Sequence, residues 1–465
     1  MQRIAICAAV SLALAAPTAR ADDLQALRDE IAQMKQSYEQ RIAALEARLG
    51  QAEKQAEMQA EVAGQRAAPV TSPAQANAFN PETSVILSGT YTNLSRDPGH
   101  DPTGTAGRER RIQGFLPSGG EFMPAARSFN LGESELAFAA NIDHRFRGNF
   151  LLSIGGDNTA RVEEANVQTL GLGQGTNLKF GRFFSGIGYA NEQHAHNWDF
   201  ADAALPYQAF FAGQLGYDGL QFKWLAPTPI FLELGAETGR AGNFPATDSS
   251  RNKNGFLSGS VFAHIGDDVG FSSSWRAGLS LFGSQPRDRD YQDIGRGGGL
   301  VTNRFSGGSK TAVADFVWKW APEGNPLRSN VKFQAELFRR SESGDLTYDL
   351  AIPATGAYRS VQTGGYGQGI WQFRPNWRVG YRYDWLNAGR TAIGLIDNGS
   401  LQAADLPLLE SYRPHRHTLM TDWSPSEFST LRFQVARDNT RPGITDNQLW
   451  LQYIVSMGAH GAHKF

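Results

Sequence analysis

From residue 83 onward the chain alternates apolar and polar positions with a period of two, and the pattern recurs to its end. Val85, Leu87, Gly89 and Tyr91 interleave with Ile86, Ser88, Thr90 and Thr92. Leu136, Phe138, Ala140 and Ile142 interleave with Glu135, Ala137, Ala139 and Asn141, and Trp275, Ala277, Leu279 and Leu281 with Ser274, Arg276, Gly278 and Ser280. The clearest case sets Trp377, Val379, Tyr381, Tyr383 and Trp385 against Arg378, Gly380, Arg382 and Asp384. Successive side chains of a strand point to opposite faces, so one face is apolar with aromatic ends and the other is polar and charged. A soluble sandwich buries its apolar face but has little reason to ring both strand ends with Trp and Tyr. Lipid outside and water inside account for both features. The pattern predicts an all-β transmembrane barrel of about sixteen antiparallel strands over residues 83–465.

The connections sort into two classes that alternate along the chain. Short turns fall near residues 143–147, 171–175, 226–229, 266–268, 321–327, 373–376 and 424–427. Long loops fall near 94–127, 185–214, 240–253, 283–308, 341–356 and 387–414, with shorter ones near 155–159 and 438–446. Outer-membrane barrels have short periplasmic turns and longer extracellular loops, so both chain ends are expected in the periplasm. The last strand, about 448–465, ends in Phe465, like the terminal aromatic that addresses such proteins to barrel-assembly machinery.

Three segments precede the barrel. Arg3, an apolar run over 4–16 and Ala19, Arg20 and Ala21 read as a signal peptide, residues 1–21. The run is too short to span a bilayer as a helix. Cys7, the single cysteine, lies within it, which leaves the mature chain without a thiol. Residues 22–60 carry a heptad seam through Leu24, Leu27, Ile31, Met34, Tyr38, Ile42, Leu45 and Leu49, with one stutter. A coiled coil is expected, with Leu27, Ile31, Leu45 and Leu49 buried between helices; the mixed Ile and Leu seam does not fix the strand number, and a homotrimer fits well. Residues 61–82 are an Ala-, Pro- and Gln-rich linker. A net charge of −2 gives no sign of a nucleic-acid partner. No apolar run of helix length follows the signal, so any membrane span must be β, and lipid is the expected partner of the outer face.

Residues 185–214 break the pattern. Strand-like segments flank them, but within the loop no period holds, and aromatics, acids and histidines are dense. Unstructured connections of such length are more often functional. Tyr189, Trp198, Phe200, Tyr207, Phe210 and Phe211 are more apolar surface than a solvated loop should expose, so the loop is expected to fold into the barrel mouth.

The sequence LKFGRFFSGIGYANEQ at 178–193, the loop after it and LGYDGLQFKW at 215–224 resemble the strand–loop–strand passage of the phosphate-selective porin O and P type. The order of signal, coiled coil, linker and barrel is similar too. The resemblance implies a trimeric passive channel whose third outer loop narrows the pore; counting the short loop at 155–159, residues 185–214 are the third. No run of arginines along one loop or wall matches a phosphate ladder.

The loop acids Glu192, Asp199 and Asp202 are expected to face Arg378, Arg382, Arg432, Lys223 and Lys332 on the wall, setting a transverse field across a constriction. Glu192, His194 and His196 alternate, so in extended backbone they point one way and suit a zinc-type ion; His415 and His417 repeat the spacing, and His460 and His463 lie near the end. No nucleophile elbow, metalloprotease helix or phosphate-cradling glycine loop occurs, and neither an enzyme nor a cofactor is expected. The reading is an outer-membrane porin for small hydrophilic or charged solutes. The alternatives are a metal-ion uptake channel or receptor, and a barrel that anchors a periplasmic coiled-coil tether. A plugged receptor of 22 strands needs more chain than is present.

Overall fold

A computed structural model describes residues 81–97, 112–115, 127–156, 158–240, 242–248, 252 and 254–458. The signal peptide, the coiled-coil segment, the linker, His460 and His463 lie outside them.

Nineteen strands form one antiparallel sheet: β1 Glu82–Leu94, β2 Ser128–Leu131, β3 Ser134–Asn141, β4 Phe146–Ile154, β5 Ala160–Thr169, β6 Thr176–Phe184, β7 Gly216–Leu225, β8 Phe231–Gly239, β9 Ser258–Val269, β10 Ser273–Ser284, β11 Arg289–Ile294, β12 Leu300–Trp320, β13 Asn330–Tyr348, β14 Ala354–Arg374, β15 Trp377–Asn387, β16 Thr391–Ile393, β17 His415–Ser426, β18 Ser429–Arg441 and β19 Ile444–Gly458. Three of them continue a neighbour. β2 and β3 both pair with β1, β10 and β11 both pair with β12, and β15 and β16 both pair with β14. Sixteen staves result, and β1 closes the barrel on β19 from Ser84↔Gly458 to Leu94↔Gln448. Among the described residues the sixteen staves thus form a closed ring, as a lipid environment demands of a spanning sheet.

The burial pattern inverts that of a soluble protein. Along β17, Leu419 and Trp423 are 51% and 40% exposed while Arg416 and Asp422 are 1% and 0% exposed. In β18, Leu431 and Phe433 face outward and Arg432 and Gln434 are buried; β15 does the same with Tyr381 and Tyr383 against Arg382 and Asp384. An apolar exterior around a polar, hydrogen-bonded interior is the arrangement of a barrel solvated by lipid. No helix among the described residues is long and apolar enough to cross a membrane.

Two expected loops are largely strand. Residues 283–308 contain the end of β10, all of β11 and the start of β12, and residues 341–356 are mostly β13 and β14. Beyond the apolar band the outer face meets water instead of lipid, while the inner face stays buried at Arg289, Asn303, Phe305, Glu342 and Leu346; polar residues therefore occupy both faces and the period-two signal fades. Backbone pairing continues nonetheless, from Arg304↔Thr347 to Ser309↔Glu342 for example.

A candidate pore-closing loop and its wall contacts

The chain between β6 and β7 turns into the lumen and is bonded to the wall on every side. Its entry is held by Glu237 of β8, which accepts from the Ser185 hydroxyl and, at 2.8 Å, from the Gly186 N–H. Asn191 staples the two ends of the loop. Its amide donates to the carbonyls of Ser185 and Leu215 at 2.7 and 2.9 Å and accepts from the Leu215 N–H at 2.7 Å. Glu336 of β13, wholly buried, accepts from the Tyr189 and Ala190 N–H groups at 3.2 and 3.0 Å and from the Tyr207 hydroxyl at 2.8 Å. Gly188 sits against that carboxylate with φ +65°, where a Cβ would collide with Glu336; only glycine meets both demands.

A short helix, α1 Leu205–Phe211, follows. Pro206 suits its first turn, Ala212 ends it in the left-handed conformation, and the Leu205 N–H donates to Asp384 Oδ1 of β15 at 3.1 Å. Every side chain of α1 is buried. The Phe210 ring stacks on Phe338 with centroids 5.8 Å apart and meets Phe115 edge-on, and Phe211 meets Phe282 and Phe338. The loop therefore hides its rings against the wall and against residues 112–115 of the first outer loop.

The acids are not left facing water. Asp199 pairs with Arg378 at 3.1 Å and with Lys332, and accepts from the Gln368 amide at 2.9 Å. Asp202 pairs with Arg382 at 2.9 Å and Arg416 at 2.6 Å, and accepts from Gln434 at 3.1 Å. Glu192 pairs with Lys223 at 2.9 Å. The expected field across a gap is thus replaced by direct contact, because the loop reaches its counter-charges. Arg432 is buried on Asp422 at 2.8 Å, within the wall. Arg382 also lies 4.5 Å above the Phe200 ring and donates to the Asp202 carbonyl. Arg416 donates to the Ala203 carbonyl at 3.0 Å. Under Asp199, a cavity of about 460 Å³ reaches the short-turn end, lined in part by Lys319, Lys332, Arg378 and Ser272.

Burial pushes the Asp199 carboxyl up, but Lys332 and Arg378 outweigh it and hold the group at about 2, below its ordinary 3.8. Asp202 is likewise lowered by Arg416 and Arg382 against the effect of burial. A depressed carboxylate stabilises its contact fully above the unfolded value and loses that stabilisation as pH falls through the folded one. The shift of Asp199 corresponds to about 2 kcal/mol. Single-channel conductance is therefore expected to stay level from pH 7 to 4 as far as this contact governs it, and to rise between pH 3 and 2 as the loop loosens. A rise already complete at pH 5 would show that other groups hold the loop.

The structure parts Glu192 from His194 and His196, whose rings stay parallel 5.9 Å apart. Glu192 turns to Lys223, whereas the His194 Nδ1 lies 3.5 Å from Glu163 of β5 and the His196 Nδ1 lies 2.7 Å from Glu135 of β3. Burial disfavours the His194 cation, yet the surrounding Glu163, Glu135 and Glu164 raise its pKa to about 9. His415 and His417 stand at the rim, where the His417 Nδ1 is 2.7 Å from the Tyr381 hydroxyl. Sequence reasoning missed Glu237, Glu336, Asp384 and Arg416. Parity was the available signal for two of them: Glu336 shares a face with Lys332, and Asp384 with Arg382.

No protein-family model matches the chain. It is 29% identical over 420 residues to an uncharacterized protein of Aquifex aeolicus, covering 85% of this chain and 82% of that one. Similar solved structures include OmpT, an outer membrane protein of Vibrio cholerae (trimer form), with a TM-score of 0.48 and 8% identity over 81% of this chain and 99% of that one. OprB of Pseudomonas putida aligns with a TM-score of 0.43 and 14% identity over 81% and 94%. The outer membrane channel DcaP of Acinetobacter baumannii aligns with a TM-score of 0.41 and 12% identity over 81% and 96%.

Proposed function

We propose that the chain is an outer-membrane channel for small hydrophilic or charged solutes, and that its third outer loop limits the pore. The observation that carries this reading is the girdle of ion pairs between loop and wall: Asp199 with Arg378 and Lys332, and Asp202 with Arg382 and Arg416. A barrel built only as an anchor can fill its lumen with apolar side chains, which often cost less than buried ion pairs. A polar lumen closed by a loop held through charges keeps a route for water and ions once that loop shifts. The passage resembling the phosphate-selective porins supplies β6, the loop entry and β7. The heptad seam of residues 22–60, with Leu27, Ile31, Leu45 and Leu49, supports self-association, for which we take a trimer as the assembly to test. No enzymatic role is part of this reading.

One observation favours a second reading, a filled anchor. Glu336, Arg340, Gln362, Asp384 and Gln434 have no exposed surface, although all are polar lumen-side groups. Planar-bilayer recording in KCl separates the two. A channel trimer conducts steadily and closes in three equal steps, and truncation of residues 22–60 reduces these to single steps. A protein that inserts and passes no current is an anchor.

A further inference from the structure

The wall facing the first half of the loop breaks its regular ladder twice at one level. β2 and β3 are separated at Gly132 and Glu133. Leu151 of β4 pairs with Glu164 of β5 and Leu152 with Val162, so Glu163 is the extra residue of a bulge in β5. Glu135 pairs with Ser153 and Leu136 with Leu152, which puts the two irregularities side by side. Bulges re-aim side chains. Here the bulge sends Glu163 to His194, while the adjacent Glu164 keeps contact with the buried Asn166.

Ligand atoms of Glu135, Glu163 and His194 all lie within 4.8 Å of one another. The His194 Nδ1 is buried and makes no hydrogen bond, although Glu163 Oε2 is 3.5 Å away. Two donors at 2.0–2.1 Å from one tetrahedral zinc stand about 3.4 Å apart, so this spacing suits the edge of a coordination polyhedron. His196 stands behind Glu135, with its ring parallel to that of His194 at 5.9 Å and 5°.

We propose that Glu135, Glu163 and His194 form a binding site for a divalent transition metal of the zinc class, with His196 orienting Glu135. Nitrogen and carboxylate donors suit such ions, and a histidine hydrogen-bonded to a ligating carboxylate fixes that ligand. The site ties the loop at His194 to β3 and β5. Its ligands differ from the alternating set read along the loop, since Glu192 is engaged by Lys223. It stands whether or not the barrel conducts.

The test is calorimetry of full-length, EDTA-stripped protein in detergent, titrated with zinc chloride at pH 7, with cobalt(II) as an absorbing substitute. One binding event is expected. Glu163→Gln and His194→Ala should each weaken it about tenfold or more, while Glu192→Gln leaves it unchanged. Glu163→Gln preserves side-chain volume, and heat-modifiable gel migration reports whether each variant barrel is folded. A wild-type protein that takes no zinc overturns the proposal. So does zinc binding as tight in Glu163→Gln and His194→Ala as in wild type, or binding lost in Glu192→Gln instead.

Discussion

Deletion of residues 192–206, with Asn191 retained, is expected to raise single-channel conductance several-fold while leaving a folded barrel. The retained staple keeps the strand ends together, because Asn191 bonds to Ser185 and Leu215 and to nothing within the deleted stretch that these bonds require. The sixteen staves owe their pairing to the backbone ladder and their exterior to lipid, neither of which involves the loop. Arg378, Arg382, Arg416 and Lys332 lose their acidic partners on the loop, but water replaces the loop around them. The several kcal/mol that an unpaired buried charge costs therefore does not arise, because the site is no longer buried. Conductance and ion preference equal to those of the wild type would mean that the loop does not limit the permeation path.

The triple replacement of Glu192→Gln, Asp199→Asn and Asp202→Asn should act in the opposite manner, keeping the loop but removing its charge. Each change takes one acidic partner from wall cations: from Lys223, which keeps Glu233 at 3.7 Å; from Arg378 and Lys332, of which Arg378 keeps Asp422; and from Arg382 and Arg416. Breaking one partner out of a buried pair costs about 3–5 kcal/mol. Asp202 should be the most damaging single site, since side chains of Arg382 and Arg416 are only 3% and 1% exposed. Asp384 still bonds both guanidinium groups, which tempers the loss toward the lower end. Three positive charges gained in a narrow, low-dielectric passage act more strongly than they would on an open surface. The reversal potential across a KCl gradient should move toward that of chloride, and the rise in conductance between pH 3 and 2 should be absent, because positions 199 and 202 no longer carry a carboxylate to protonate. An unchanged reversal potential would show that ions do not pass these residues.

The barrel was legible in the sequence because a membrane imposes a simple rule on every stave. Residues facing lipid must be apolar, their neighbours facing the lumen need not be, and the strand period converts this into alternation. Hence Tyr381 and Tyr383 are placed outward, and Arg382 inward, by the sequence alone. The inward course of the third loop was legible for a related reason. So many aromatic rings, Phe210 and Phe211 among them, have no stable place in bulk water.

What the sequence could not supply is the partner of each lumen charge. Asp202 and Arg382 are 180 positions apart, and their contact depends on where the loop crosses the lumen relative to β15 and β17. The same ignorance made the loop acids appear free when they are held in ion pairs. Glu192, His194 and His196 seemed a set because they alternate, yet the turn around Ala195–Asn197 sends their side chains to different strands. The cluster of Glu135, Glu163 and His194 was invisible for the complementary reason. It needs a bulge in β5 and a break beside β3, and neither leaves a mark on a period-two pattern. Alternation along the chain is a one-dimensional consequence of lipid outside and water inside, so the sequence determines it alone. Pairing across the lumen is decided by the closed barrel, which brings distant staves within reach of one loop and lets charge and shape choose among them.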